Sequence, residues 1–325
     1  MVDLSVKYAG LELKSPIIVS SSGLTNSVAR IGIMAAAGAG AVVLKSLFEE
    51  QIQFEIGKMD TGGDYPEASD YLRTYARENT LNTYLKLIKD AKDAVSIPVI
   101  ASVNCYSSDE WIDFTIQMEE AGADAIELNI YYLANDPRKD PREYEKVYLE
   151  ILEKVKKKVN IPVIIKLGMH FTNLAWMAEQ ISIRRASGIV LFNRFYAPDI
   201  LTDDLTMGSA EVLSSPADIR NSLRWVGILS SEVDKLDIAA STGVHSGLGA
   251  VKMLLAGASA VQVCSVLYRN GVEYIREINK ELKTWMEKKK YESINEFKGK
   301  MSYGRIEDPS TYERAQFIKY FSKMH

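Results

Sequence analysis

Eight short runs dense in Val, Ile, Leu and Ala recur along the chain, at residues 16–22, 41–46, 98–104, 125–130, 162–167, 188–194, 236–242 and 259–265, with helical patterns between them. Each run is nearly continuous in apolar residues and does not alternate, as parallel strands do when both faces are covered. Strand and helix in strict alternation require an α/β architecture. A repeat supports the count, because Ala37-Gly-Ala-Gly-Ala-Val-Val-Leu, Ala121-Gly-Ala-Asp-Ala-Ile-Glu-Leu and Ala256-Gly-Ala-Ser-Ala-Val-Gln-Val share one pattern and introduce the second, fourth and eighth runs. The copies are far enough apart for two βα units and then four, at roughly 40 residues each, close to the repeat length of an eight-stranded barrel.

We therefore expect a (β/α)8 TIM barrel. A doubly wound sheet is the rival, but it would show fewer strands and a Gly-x-Gly-x-x-Gly turn after the first, where this chain has Ser21-Ser-Gly-Leu-Thr-Asn. Residues 1–15 read as an N-terminal hairpin closing the barrel bottom, and 283–325 as a C-terminal helical extension, so that 1–325 forms a single domain. Three connections exceed a short βα loop: residues 47–77, 131–141 and 195–216. All three follow strands, at the end where barrel enzymes keep their chemistry.

Composition narrows the function. With 39 Lys and Arg against 43 Asp and Glu, the net charge of −4 supplies none of the basic field that bulk nucleic-acid binding needs. Cys105 and Cys264 are too few for a disulfide framework and form no Cys-x-x-Cys pair, which points to a reduced, cytoplasmic setting. No apolar run is long enough for a membrane span. His170 and His245 lack metal-ligand spacing, and no metal is expected.

The run ends carry the chemistry: Ser20-Ser-Ser, Lys45-Ser46, Asn104, Asn129, Lys166, Asn193, Ser241-Thr242 and Cys264-Ser265. Strands leaving a core often end polar, which accounts for the Ser and Asn residues but poorly for Lys45 and Lys166. Two lysines at the ends of apolar strands in one barrel mouth point to an anionic or electron-rich ligand. Asn at three strand ends offers donors and acceptors suited to a planar heterocycle edge. The turns Ser241-Thr-Gly-Val-His-Ser-Gly and Val263-Cys-Ser-Val-Leu-Tyr follow the seventh and eighth strands, the usual phosphate seat of a barrel.

These residues resemble the FMN-dependent dihydroorotate dehydrogenases, particularly the soluble class 1 enzymes, from the N-terminal hairpin to about residue 282. The matching pieces, in order, are Ser21-Ser-Gly, Leu44-Lys-Ser, Ile126-Glu-Leu-Asn, Val163-Ile-Ile-Lys-Leu, Leu191-Phe-Asn, Ser241-Thr-Gly-Val, Leu254-Leu-Ala-Gly-Ala and Val261-Gln-Val-Cys-Ser. The resemblance implies FMN across the barrel mouth, its phosphate near Thr242, Gly243, Cys264 and Ser265. Ser22, Gly23, Lys45, Ser46, Asn104, Asn129 and Lys166 would surround its ring and ribityl chain. Asn193 would join this cofactor shell, and Asn129 and Asn193 would face the substrate. Independently, a fixed ammonium such as Lys166 suits the negative charge left near flavin N1 and O2 by hydride transfer to N5.

Two segments depart from the family. Class 1 enzymes carry Asn-x-Ser-Cys-Pro-Asn after the fourth strand, its Cys acting as base, whereas this chain reads Asn129-Ile-Tyr-Tyr-Leu-Ala-Asn and places Tyr132 at that position. A phenol with a reference pKa near 10 is a poor base at neutral pH but a serviceable acid toward a carbon receiving hydride. The pyrimidine-clamping Asn-Ser-x-Gly-Leu-x-Asn loop is absent from residues 65–82, where Arg73 and Arg77 read as a solvated helix face. Expected, then, is an FMN oxidoreductase acting on a CH–CH bond, with Tyr132 and Lys166 as catalytic residues, a small-molecule substrate and a homodimeric state. A flavin protein that has lost the reaction, an ene-reductase-like enzyme with another substrate, and a non-redox phosphate-binding lyase or isomerase stay open.

Overall fold

The computed structural model describes residues 2–48, 66–104, 110–130, 132–195 and 197–313, excepting the side chains of 66–78, 110 and 111. Cys105, the Arg73 and Arg77 side chains and the aromatic residues Phe317, Tyr320 and Phe321 lie outside the described set. Eight parallel strands close into a barrel: β3 (Ile17–Val19), β4 (Ala41–Val43), β6 (Val99–Asn104), β7 (Ala125–Asn129), β8 (Val163–Leu167), β9 (Gly188–Leu191), β12 (Asp237–Ala240) and β13 (Ala260–Val263). Pairing runs around the ring in chain order, and β13 closes onto β3 with Val261 opposite Ile17. Each strand lies inside one of the eight apolar runs; β3, β4, β9, β12 and β13 stop before the polar residues that end their runs, whereas β6, β7 and β8 carry Asn104, Asn129 and Lys166 within the ladder. An extra pair of residues, β5 (Leu47–Phe48), continues the sheet beside the end of β6.

The repeated Ala-Gly-Ala motif has a backbone cause. Gly38, Gly122 and Gly257 all have φ near +100° (97°, 97° and 118°) where a helix ends and the next barrel strand begins. That left-handed turn costs glycine little and other residues more. Three of the helices between strands start on side-chain caps: Asp140 with Glu143 and Pro141 before Pro141–Lys156, Asn173 before Leu174–Ile183, and Ser246 before Gly247–Ala256. Their apolar faces bury Leu152 and Val155, Met177 and Ile181, and Met253 and Leu254 against the barrel wall.

The bottom of the barrel is closed by β1 (Val6–Tyr8) and β2 (Leu11–Leu13), joined through Ala9 and Gly10, both at positive φ. That is the two-residue turn whose twist matches an antiparallel pair. Tyr8 is completely buried, its hydroxyl donates to the Ile189 carbonyl of β9, and the Ala9 N–H donates to Asp237 of β12.

Three expectations change. The helix Pro66–Ala94 reaches back into the stretch read as a connection to residue 77. The 195–216 connection contains an exposed hairpin, β10 (Pro198–Leu201) paired antiparallel with β11 (Thr206–Ser209). The C-terminal extension is helical over Ile275–Lys289, which packs on helix Gly247–Ala256. After residue 289 the described residues form mostly turns, punctuated by Gly299, Gly304 and Pro309. Trp285, Tyr291 and Phe297 cluster there with ring centroids 5.0–5.8 Å apart.

Candidate active site

Strand register decides what faces the barrel axis. Glu127 and Asn129 lie two apart on β7 and share a face, and Asn129 stands beside Lys166 of β8. Beneath the mouth, Lys166 is 5% exposed and its ammonium donates to Ser20 Oγ at 2.9 Å and Gln262 Oε1 at 3.1 Å. Glu127 Oε1 lies 3.6 Å from the same nitrogen. Ser20 Oγ also donates to Gln262 Oε1, and Gln262 Nε2 donates to Glu127 Oε2 at 2.6 Å. A buried lysine thus stands at the floor of the mouth, paired and hydrogen-bonded.

Above this floor, hydroxyls link three strand ends. Ser21 Oγ and Ser46 Oγ are 3.0 Å apart, and Ser46 Oγ and Ser102 Oγ 2.8 Å apart. Buried Tyr84 ties the string down, its hydroxyl accepting from the Ser102 N–H at 2.8 Å and donating to the Ser102 carbonyl at 3.1 Å. Asn193 Nδ2 donates to Asn129 Oδ1 at 2.8 Å, so the two amides form a fixed pair.

The seventh-strand turn passes through Thr242 and Gly243, at φ 73° and 83°, and a Cβ on Gly243 would lie 2.1 Å from the Ile219 nitrogen. Only glycine fits there. Thr242 Oγ1 donates to the Phe192 carbonyl, and Ser265 Oγ accepts from the Ser214 N–H at 2.9 Å. Ser214 Oγ lies 3.1 Å from His245 Nε2. Burial, then the nearby Arg269, hold His245 below the ordinary histidine range. Burial pushes the Cys264 thiol up, with the Ser22 hydrogen bond and Lys166 opposing it.

Two adjoining cavities occupy the mouth. The larger, about 580 Å³, is bounded by Lys166, Asn193, Thr242, Gly243, Cys264 and Ser265, among others. The smaller, about 410 Å³, is bounded by Ser22, Gly23, Lys45, Ser46, Asn104, Asn129, Lys166 and Asn193. Every residue that the sequence assigned to cofactor or substrate borders one cavity or the other. Tyr132 borders neither: its ring packs 6.3 Å from Tyr144 and 6.4 Å from Tyr148, in an aromatic cluster continued by Phe171.

Sequence reading passed over several residues here. Arg194 and Phe195 border both cavities. Arg194 donates to Asp218 Oδ2 at 2.9 Å and to the Glu211 carbonyl. Against the penalty of burial, the Ser215 N–H and Arg194 hold the Asp218 carboxyl below its usual range. The Phe195 ring lies over Gly168, where a Cβ would come within 2.5 Å of it, and stacks on His170 at 5.9 Å. The smaller cavity therefore has three cationic side chains, Lys45, Lys166 and Arg194, and no carboxylate among its described lining residues.

Comparison with known proteins agrees with this arrangement. The family profile described as dihydroorotate dehydrogenase matches residues 3–286. The chain is 30% identical over 308 residues to the dihydroorotate dehydrogenase B (NAD(+)) catalytic subunit of Thermoplasma volcanium, covering 92% of this chain and 98% of the relative. The proteins of the same name from Thermoplasma acidophilum and Methanosarcina acetivorans are 28% and 27% identical, over 92% and 89% of this chain and 99% and 93% of their own. With a match of this extent and a barrel mouth of this composition, the chain belongs to the dihydroorotate dehydrogenase family, oxidoreductases that act on a CH–CH bond.

Proposed function

We propose that the chain is a single FMN-binding domain that oxidises dihydroorotate, or a closely similar anionic substrate with a saturated C–C bond beside a carbonyl, within pyrimidine biosynthesis. The observation that carries this reading is Lys166, buried between two joined cavities with its ammonium fixed by Ser20, Gln262 and Glu127. The residues fit the cofactor. Gly243 lets the seventh-strand turn pass close against Ile219 at the cavity edge, the hydroxyl-bearing residues Ser20, Ser21, Thr242 and Ser265 line the cavity, and Lys166 stands at its floor.

Bound there, FMN supplies a hydride acceptor at N5 and takes up negative charge toward N1 and O2. Lys166 contributes a positive charge that needs no reorganisation, which is worth more in a low-dielectric site than in water. The Asn129–Asn193 pair orients a planar substrate through its free amide edges. Lys45 and Arg194 favour an anionic one. Tyr132 stands at the position of the class 1 cysteine, with its ring packed on Tyr144 and Tyr148 outside both cavities; its phenol is proposed as the acid that gives a proton to the substrate carbon receiving hydride, the oxidation being the reverse of that step.

The names of the relatives support dihydroorotate as the first substrate to test. No helix among the described residues is long and apolar enough to cross a membrane, and a cytoplasmic location fits the two cysteines. A homodimer is supported by the exposed apolar side chains of the β10–β11 hairpin.

The test is anaerobic. Purified protein reconstituted with FMN is mixed with dihydroorotate, and bleaching of the oxidised flavin band is expected. Failure to retain added FMN overturns the cofactor assignment. Retention without bleaching, followed by reoxidation of the dithionite-reduced protein by another unsaturated carboxylate, replaces dihydroorotate with that substrate class.

A further inference from the structure

Glu127 is a completely buried carboxylate near the centre of the barrel, and the mechanism above gives it no step. Its Oε2 accepts from Gln262 Nε2, while its Oε1 is buried without a hydrogen-bond partner and faces the Lys166 ammonium at 3.6 Å. Lys166 has three N–H donors. Two are committed to Ser20 and Gln262, so the third is divided between Glu127 Oε1 and whatever occupies the cavity. The Gln262 amide cannot turn over without breaking the arrangement, because its NH2 serves Glu127 and its oxygen serves both Lys166 and Ser20.

Burying two charges costs more than an apolar pair of similar size, and removing one partner costs more still. Lys166 also borders both cavities, where it is solvated least and its field is felt most. From these contacts we infer that Glu127 is a positioning and charge-balancing residue for Lys166: it offsets part of the ammonium charge presented to the cavity and so sets how strongly the site prefers reduced over oxidised flavin. The inference rests on the FMN reading above.

The predicted consequence has a definite sign. With Glu127 present, a group above Lys166 meets an ion pair; with Glu127→Gln it meets a lone cation. The negatively charged reduced flavin then gains more than the oxidised form. In full-length protein reconstituted with FMN, Glu127→Gln should shift the ratio of oxidised to reduced dissociation constants about tenfold toward the reduced form. That raises the two-electron midpoint potential by about 30 mV. A midpoint that is unchanged or lower in folded, FMN-bound variant overturns the inference.

A second arm needs no flavin. Thermal unfolding of the apoprotein is followed for Lys166→Gln and for Lys166→Gln combined with Glu127→Gln. Lys166→Gln alone leaves a buried carboxylate without its counter-charge, so the double variant should unfold at a higher temperature than that single variant. A double variant that melts at or below Lys166→Gln, or fails to fold when Lys166→Gln folds, removes the coupling. If the wild-type protein refuses FMN, the functional reading fails while this cycle still decides whether the pair is coupled.

Discussion

Lys166 shows how one side chain is made useful by its neighbours. Replacing it with alanine removes a charged donor from Ser20 and Gln262 and strands Glu127. Charge-assisted hydrogen bonds are worth about 1.5–3 kcal/mol, so FMN retention should weaken by roughly ten- to a hundredfold, read by fluorescence titration. Tyr132→Phe removes only an oxygen from a ring seated against Tyr144 and Tyr148. Loss of acid–base help of this kind costs about 10²–10⁴ in turnover, and flavin content should not change. Unchanged turnover in single-turnover reduction would take Tyr132 out of the mechanism. Cys264 gives a chemical check, because its half-buried, raised thiol should alkylate slowly at neutral pH and more slowly still with FMN bound, followed by peptide mass spectrometry. Lys45, Lys166 and the strand-end asparagines were legible in the sequence because a polar residue closing an apolar run is conspicuous. Glu127 and Gln262 were not, since each sits inside such a run and only register shows that it faces the axis.

Elements were legible where a local rule produces them. Continuous apolar runs mark the barrel strands, and the Ala-Gly-Ala copies mark the left-handed helix ends that precede three of them. The β10–β11 hairpin obeys no such rule. Its residues are exposed on both faces, so no alternation betrays it, and the connection between its strands carries no Asn-Gly or Asp-Gly signal. Ile200, Leu205 and Met207 are 62%, 86% and 68% exposed. An isolated two-stranded ribbon is marginal in water, and this much apolar surface on one ribbon favours a covering partner. Leu205→Asp with Met207→Asp should therefore shift a dimer toward monomer in light scattering coupled to size exclusion. A wild-type protein that is already monomeric refutes the dimer. The same segment leads into residues 209–214 along the larger cavity, so a loss of FMN affinity in that variant would connect assembly with the site.

At the scale of the molecule, the shifted groups make stability a function of pH with a calculable sign. His245 and Asp218 have lowered values in the fold, so the unfolded chain binds more protons than the native one just below their ordinary values of 6.5 and 3.8. Stability is lost as pH falls through these windows, His245 first and the carboxyl later. The alkaline limb has the opposite origin. Burial raises the Tyr8 and Tyr84 phenols above the ordinary value of 10.0, with the Glu127 charge adding to it, so above pH 10 the unfolded chain gives up protons that the fold retains. Both tyrosines hold the barrel together at different ends, Tyr8 through Ile189 at the bottom and Tyr84 through Ser102 beneath the mouth. Tyr84→Phe leaves the Ser102 N–H and carbonyl without their partner, which costs about 1–3 kcal/mol near neutral pH. It also deletes one of these two raised phenols, so melting temperature measured from pH 7 to 11 should start lower than in the wild type and fall less steeply above pH 10. Parallel curves for the two proteins would mean that Tyr84 ionisation contributes nothing to alkaline unfolding.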